Sequence, residues 1–327
     1  MMHAMENSQF LSGDSTDTIN LAAQSLINGN LVAFPTETVY GLGADALNGI
    51  GVARIYDVKG RPHDHPLIVH IHDLNVIDDW VSEIPEYAIQ LARDYWPGPM
   101  TLILNRSKIV SDFITGGQNT VGVRIPDHPI ALSLLNSFYL MGGKGVAAPS
   151  ANRFGHVSPT SAEAVSGEIG EFLTSSDIIL DGGECQVGVE STIIDCTAGI
   201  PAILRPGAIT KKMIEESVKM KISEKSKPSN IQVSGMLEKH YSPKSKVLLD
   251  QSPVAGQGFL ALSNEETPSG VVRLAAPINI EEFARVLYQS LRRADELNLH
   301  SLVVRQPEGE GLALAIRDRL AKAVNGR

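Results

Sequence analysis

From Ile19 to about Leu204, short apolar runs alternate with amphipathic stretches. Asp17 or Thr18 is placed to cap a helix carrying Leu21, Ala22, Ser25 and Leu26, which ends at Asn28-Gly29. Leu31-Val32-Ala33-Phe34 then predicts a buried strand halted by Pro35. Further buried strands are expected over 67–71, 101–104, 121–125, 145–148, 178–180, 192–194 and 202–204, and helices near 52–58, 86–94, 130–136 and 161–166. Strands without strict alternation, separated by helices, predict an α/β sheet covered on both faces.

The rhythm breaks over 211–230, which holds six Lys, three Glu, one Pro and no Gly. A short helix over 210–218 is expected to run into a solvated linker there. Strand and helix patterns then resume at 246–249, 271–274, 280–294, 302–304 and 312–324. That is enough for a small α/β domain of about 80 residues. There is no internal repeat and no low-complexity tract.

Composition agrees with this division. At roughly 150 residues per domain, 327 residues predict two domains. Hydrophobic residues make up 43% and charged residues 20%, which excludes disorder, collagen-like repeats and coiled coil. The apolar runs fall short of the ~20 residues a membrane-spanning helix needs. The first residues, from Met1 to Asn7, lack a basic segment followed by an apolar one, so no secretory signal is expected. The two cysteines, Cys185 and Cys196, supply neither a disulfide framework nor a Cys-rich zinc module, and a reducing cytoplasm is the expected location. A net charge of -9 argues against direct nucleic-acid binding, though it leaves room for a local basic site.

Polar residues gather where the predicted strands end, the place where open α/β sheets bind ligands. The first strand runs into Pro35-Thr36-Glu37-Thr38-Val39-Tyr40-Gly41-Leu42-Gly43, which alone reads equally well as a capped turn entering a helix. Lys59-Gly60-Arg61-Pro62 follows a helix, either as a complement to its dipole or as a phosphate clamp. Gly142-Gly143-Lys144-Gly145 lacks the Ser/Thr and the earlier Gly of a phosphate-binding loop, and no G-x-G-x-x-G is present. His63, His65, His70 and His72 lack a zinc-site pattern, and His70 is better suited to a polar substrate contact. Ser150 and Asn152, Glu190-Ser191-Thr192, Arg205, Thr120 and Arg124 repeat one theme. Hydroxyls, an amide and arginines recur where a polyanionic ligand would sit.

The segments PTETVYGLG, KGRP…HPLIVHI, YWPGPMTLIL, TVGVRIPDHPIA, APSAN, DGG…GVESTIID and LRPGAIT, in that order, resemble the YrdC-like family of threonylcarbamoyl-AMP synthases. The likeness runs from about Leu21 to Thr210. The segment from Gly235 to Pro243, followed by a small α/β domain, resembles the longer two-domain form of that family. The resemblance implies a twisted mixed α/β sheet with helices packed on it, and a smaller C-terminal Rossmann-like domain. It implies a catalytic domain over 1–213, a linker or lid over the active site at 214–245, and a C-terminal domain over 246–327.

It also implies the reaction: L-threonine, bicarbonate or CO2 and ATP give L-threonylcarbamoyladenylate and pyrophosphate. The product passes to the machinery that transfers the threonylcarbamoyl group to tRNA. Carried over by motif, Thr38, His70, Arg124, Ala148 and Ser191 are expected to line the threonine pocket. Arg61, His65, Thr120, Ser150, Ser158, Arg205 and Tyr241 are expected to contact ATP. Lys59, Arg61, Ser150 and Asn152 are expected at the reacting phosphates, with Mg²⁺ held mainly through ATP. The family can place a nucleotide-contacting Tyr two residues before the linker His, where this chain has Glu238, so that Tyr241 or His240 takes that role or the contact is missing. The alternative is a double-stranded RNA-binding module without catalysis, which the net charge opposes. Carbamoyl transfer in hydrogenase maturation, another use of this fold, involves zinc-finger cysteines that two Cys cannot supply.

Overall fold

The computed structural model describes residues 8–222, 231–235 and 240–324. Ten strands form one mixed sheet in the order β1-β8-β2-β3-β7-β4-β6-β5-β9-β10, and four parallel strands form a second in the order β11-β14-β12-β13. The first sheet comprises β1 (Gln9–Ser12), β2 (Val32–Phe34), β3 (Gly41–Asp45), β4 (Ile68–His70), β5 (Met100–Asn105), β6 (Thr120–Arg124), β7 (Val146–Ala147), β8 (Ile178–Asp181), β9 (Thr192–Asp195) and β10 (Ala202–Arg205). Its helices are α1 (Thr16–Ile27), α2 (Gly49–Lys59), α3 (Glu86–Tyr95), α4 (Asp112–Thr115), α5 (Pro129–Leu140), α6 (Ala162–Ile169) and α7 (Lys211–Val218). The second sheet is β11 (Lys246–Leu249), β12 (Gly258–Leu260), β13 (Val272–Ala275) and β14 (Ser301–Val304), with α8 (Ile280–Glu296) and α9 (Leu312–Val324).

Three local expectations change. The cap of α1 is Ser15, whose Oγ accepts from the Thr18 amide at 3.1 Å, so Asp17 and Thr18 lie inside the helix. Gly41–Asp45 is a buried strand antiparallel to β2, where the sequence suggested a turn into a helix. A Cβ on Gly43 would stand 2.6 Å from Val146 Cγ1, so the glycine there serves close strand packing. A Cβ on Gly143 or Gly145 would stand 2.3 Å from the Phe138 ring or 2.7 Å from the Trp80 ring, which makes that run a packing device. Strands β1 and β12 had no signal in the pattern: β1 is mostly exposed, and β12 has only three residues.

Two buried cores cover the faces of the larger sheet, one around Trp80, Tyr56 and Leu102, the other around Phe34, Leu134 and Phe138. A third core joins the two bodies. Val39, Val157 and Val189 of the first pack with Phe283, Leu287, Tyr288, Ile316 and Leu320 of the second. The C-terminal helices therefore sit directly against the loops that carry the polar motifs. No described helix is long and apolar enough to cross a membrane.

Candidate active site

Strand ends and the loops that follow them converge on one cavity. Thr38, Arg61, His70, Arg124, Ala148, Ser150, Ser191, Arg205 and Tyr241 line it, together with Glu190, Ser234, Gly235 and His240. Register explains much of this. His70 and Arg124 end neighbouring parallel strands and are Cα partners, so both side chains emerge on one face at the carboxyl ends of these strands.

On one wall Arg124 donates from Nη2 to Glu37 Oε1 at 2.6 Å and to Thr38 Oγ1 at 2.9 Å, while its Nε reaches the Gly98 carbonyl at 3.3 Å. The Glu37 carboxylate also accepts from the Asp127 amide at 3.1 Å. The 35–40 loop is self-bonded: the Thr36 hydroxyl donates to the Val39 carbonyl at 2.6 Å and accepts from the Thr38 and Val39 amides. Beside it His70 is buried with its Nδ1 unpartnered, and burial, followed by the Arg124 charge, pushes its imidazole down to about 3. This wall thus offers a cation, hydroxyls and a neutral imidazole.

Two further cations line the same cavity. Arg61 donates to the Pro66 carbonyl at 2.9 Å and to Ser234 Oγ at 3.2 Å; its Nε is buried without a partner. Burial lowers its guanidinium to about 10, so it stays charged at neutral pH. Arg205 donates to the Ser191 carbonyl and hydroxyl at 3.0 and 3.1 Å, and to the Ser234 carbonyl at 2.9 Å.

Other expected residues stand behind the cavity. Lys59 is buried and donates to the main-chain oxygens of Ser150 (2.6 Å) and Asn152, holding the 148–152 turn from beneath. Burial, with Arg61 next to it, holds the Lys59 ammonium well below its ordinary range. Asn152 donates from Nδ2 to the Arg153 and His156 carbonyls, leaving a buried Oδ1 without a partner. Ser158 is wholly buried and donates to Glu190 Oε1 at 2.6 Å. His65 sits edge-on to Phe154 at 5.3 Å, and Thr120 lines an adjoining cleft with Gln118, Gln232 and Val233. The other two histidines lie elsewhere, His63 against Tyr56 and His72 stacked on Tyr139. Among the described residues no group of three or more His, Cys, Asp or Glu is arranged to hold a metal ion.

The sequence offered no reason to single out Ser234, Tyr288 or Arg319. Glu37 and Glu190 were visible inside motifs, but their pairing with distant arginines had no local signal. Glu238 lies outside the described residues. Its neighbours His240 and Tyr241 are in contact, ring centroids 4.1 Å apart, with Tyr241 in a left-handed conformation at φ 61°. Burial pushes the His240 imidazole down to about 3, outweighing the nearby Glu190 carboxylate.

Two family models match the chain, one described as telomere recombination over residues 24–207, the other as the threonylcarbamoyl-AMP synthase C-terminal domain over 209–324. The threonylcarbamoyl-AMP synthase of Pyrococcus abyssi is 39% identical, with 93% of each chain covered. That of Bacillus subtilis is 38% identical over 94% of this chain and 92% of its own. The crystal structure of the P. abyssi Sua5 protein complexed with L-threonine superposes with a TM-score of 0.85 at 37% identity, covering 98% of both chains.

Proposed function

The chain belongs to the family of threonylcarbamoyl-AMP synthases, and from that premise we propose how its residues divide the reaction. The activity is nucleotidyl transfer: L-threonine, bicarbonate or CO2 and ATP yield L-threonylcarbamoyladenylate and pyrophosphate. The observation that supports the division is that one cavity is lined by Arg124, Thr38, His70 and Ser191 together with Arg61 and Arg205.

Arg124 pairs with the threonine carboxylate, as a guanidinium fork does best, and Glu37 holds that fork in register. Ala148 and Ser191 close the pocket around the side chain. His70, neutral at working pH, accepts or donates a hydrogen bond without adding charge next to Arg124. The substrate amine attacks CO2 as the free base, and the resulting N-carboxylate attacks the α-phosphorus. Such a displacement depends on positioning and charge neutralisation, with no covalent protein nucleophile.

Arg61 and Arg205 neutralise the triphosphate, with Ser150, Ser158, Thr120, His65 and Tyr241 as further nucleotide contacts. Lys59 acts from beneath, keeping the Ser150–Asn152 turn taut. Mg²⁺ arrives with ATP as part of the substrate. The orphaned Oδ1 of Asn152 is a hard oxygen suited to it or to its water shell.

Residues 231–235, 240 and 241 act as a lid. Supporting this, the free space left in the cavity is about 50 Å³, against roughly 300–1,000 Å³ for an ordinary ligand site. ATP therefore enters by displacing the linker. The adenylate passes on to the machinery that modifies tRNA; the two unpaired, buried thiols fit a reducing cytoplasm.

Mass detection of the adenylate after incubation with threonine, bicarbonate and ATP tests the reading. Pyrophosphate release that needs both threonine and bicarbonate should collapse in Arg61→Ala and Lys59→Ala. Wild-type rates in both would overturn these assignments.

A further inference from the structure

Glu190 is a buried carboxylate in the cavity wall, and two of its three side-chain donors come from the C-terminal helices. Ser158 Oγ donates to Oε1 at 2.6 Å. Tyr288 of α8 donates from its hydroxyl to Oε2 at 2.8 Å, and Arg319 of α9 donates from Nε to the same oxygen at 2.9 Å. Arg319 is itself 1% exposed, and its Nη2 goes on to the Pro206 carbonyl at 3.0 Å, next to Arg205. A carboxylate removed from water to this degree persists only when paired and hydrogen-bonded.

Around this core the same two helices grip the flanking loops. Arg292 of α8 donates to the Ser158 carbonyl at 2.9 Å and to Thr160 Oγ1 at 3.3 Å. At Gly188, a Cβ would stand 2.5 Å from the Arg285 Cα, so the loop carrying Glu190 lies flush against α8.

We propose that Arg319 and Tyr288 are positioning residues of the synthase reaction, acting through Glu190 to fix the Ser158 hydroxyl and Arg205 among the nucleotide contacts of the cavity. This rests on the assignment of Ser158 and Arg205 to ATP. The C-terminal body then does more than anchor the linker: it completes the wall from which the nucleotide contacts project. Neither residue touches substrate, so their effect is carried entirely by geometry. A Glu190 left with Ser158 alone would swing or recruit Arg205, which lies close enough to feel its charge, and Arg205 would leave its bonds to Ser191.

The test uses the full chain. Arg319→Met strips a buried carboxylate of its counter-ion and destabilises the fold, so the decisive variant is Tyr288→Phe, which removes one oxygen and keeps the ring. The expected result is a rise in the KM for ATP of about tenfold or more, the size of one lost hydrogen bond to a charged group, with the threonine Kd from calorimetry changing less. Ser158→Ala should show the same signature, and the double variant should be no worse than either single one, because both act through one carboxylate. Arg319→Lys, which keeps the charge but loses the fork, should fall in the same class. Wild-type kinetics in folded Tyr288→Phe, a change confined to threonine binding, or additive effects with Ser158→Ala would each overturn the proposal. Failure of the underlying reading looks different: the unmodified protein would then form no adenylate from threonine, bicarbonate and ATP.

Discussion

Arg205 and Ser234 are joined by a 2.9 Å hydrogen bond from the guanidinium to the linker's main-chain oxygen. A cation at the end of β10 is thus satisfied by backbone 29 residues further along the chain. Arg61 reaches the hydroxyl of the same residue at 3.2 Å. Two arginines suited to phosphate are therefore held on a neutral stand-in, whose carbonyl and hydroxyl a triphosphate can replace with stronger, charge-assisted bonds.

That exchange predicts a measurable change in the linker. Hydrogen–deuterium exchange over 231–235 should rise on addition of a non-hydrolysable ATP analogue with Mg²⁺ and threonine. Unchanged exchange there at saturating nucleotide would count against displacement of the linker.

The Arg124–Glu37 pair gives a second prediction. Both side chains are nearly inaccessible, and the contact is 2.6 Å. Glu37→Gln leaves a buried guanidinium without its counter-charge, so the protein should lose about 3 kcal/mol of stability. Arg124→Lys should weaken threonine binding more than tenfold, because an ammonium cannot present the same fork. Denaturant unfolding and calorimetry with threonine read the two effects separately.

Gly188 has φ +77° and abuts the backbone of α8. Gly188→Ala adds a Cβ in a conformation that favours glycine and pushes it into Arg285. A loss of at least about 2 kcal/mol is expected, with lowered activity at temperatures where the protein is still folded. An unaltered unfolding midpoint would contradict the close approach of the two bodies.

His70 and His240 dictate a pH dependence. Both imidazoles are held near 3 when folded, against about 6.5 in an unfolded chain. The folded state therefore refuses protons that the unfolded state accepts. No penalty exists above pH 6.5, and stability falls as pH drops below it, by up to roughly 1.4 kcal/mol per pH unit for each group until about pH 3. Unfolding free energies at pH 7 and 5 should show this slope, and His70→Gln should show a shallower one. An equal slope in the variant would remove His70 from the account.

Much of the larger body was legible because its strands are buried apolar runs. Leu31–Phe34, 101–104, 121–125, 178–180 and 192–194 each fall on an observed strand, since nothing but a covered sheet accommodates such runs. The motif residues were legible for a related reason: hydroxyls and arginines at strand ends are costly to keep without a ligand. Gly41–Asp45 is hard to read as a strand because its glycines imitate a turn, when they are there to let β2, β3 and β7 approach.

The sequence by itself determined the local choices: which runs are buried, roughly where helices run, and which chemistry gathers at strand ends. It could not determine partners separated by 98 and 129 residues, as Tyr288 and Arg319 are from Glu190. Nor could it show that Lys59 faces main-chain oxygens behind the cavity, or that Ser234 stands before both arginines. Those relations depend on how the two bodies dock and where the linker returns. Burial and periodicity act over a few residues and leave a trace in the pattern. The pairing of a buried charge acts across the fold, and only the tertiary structure decides it.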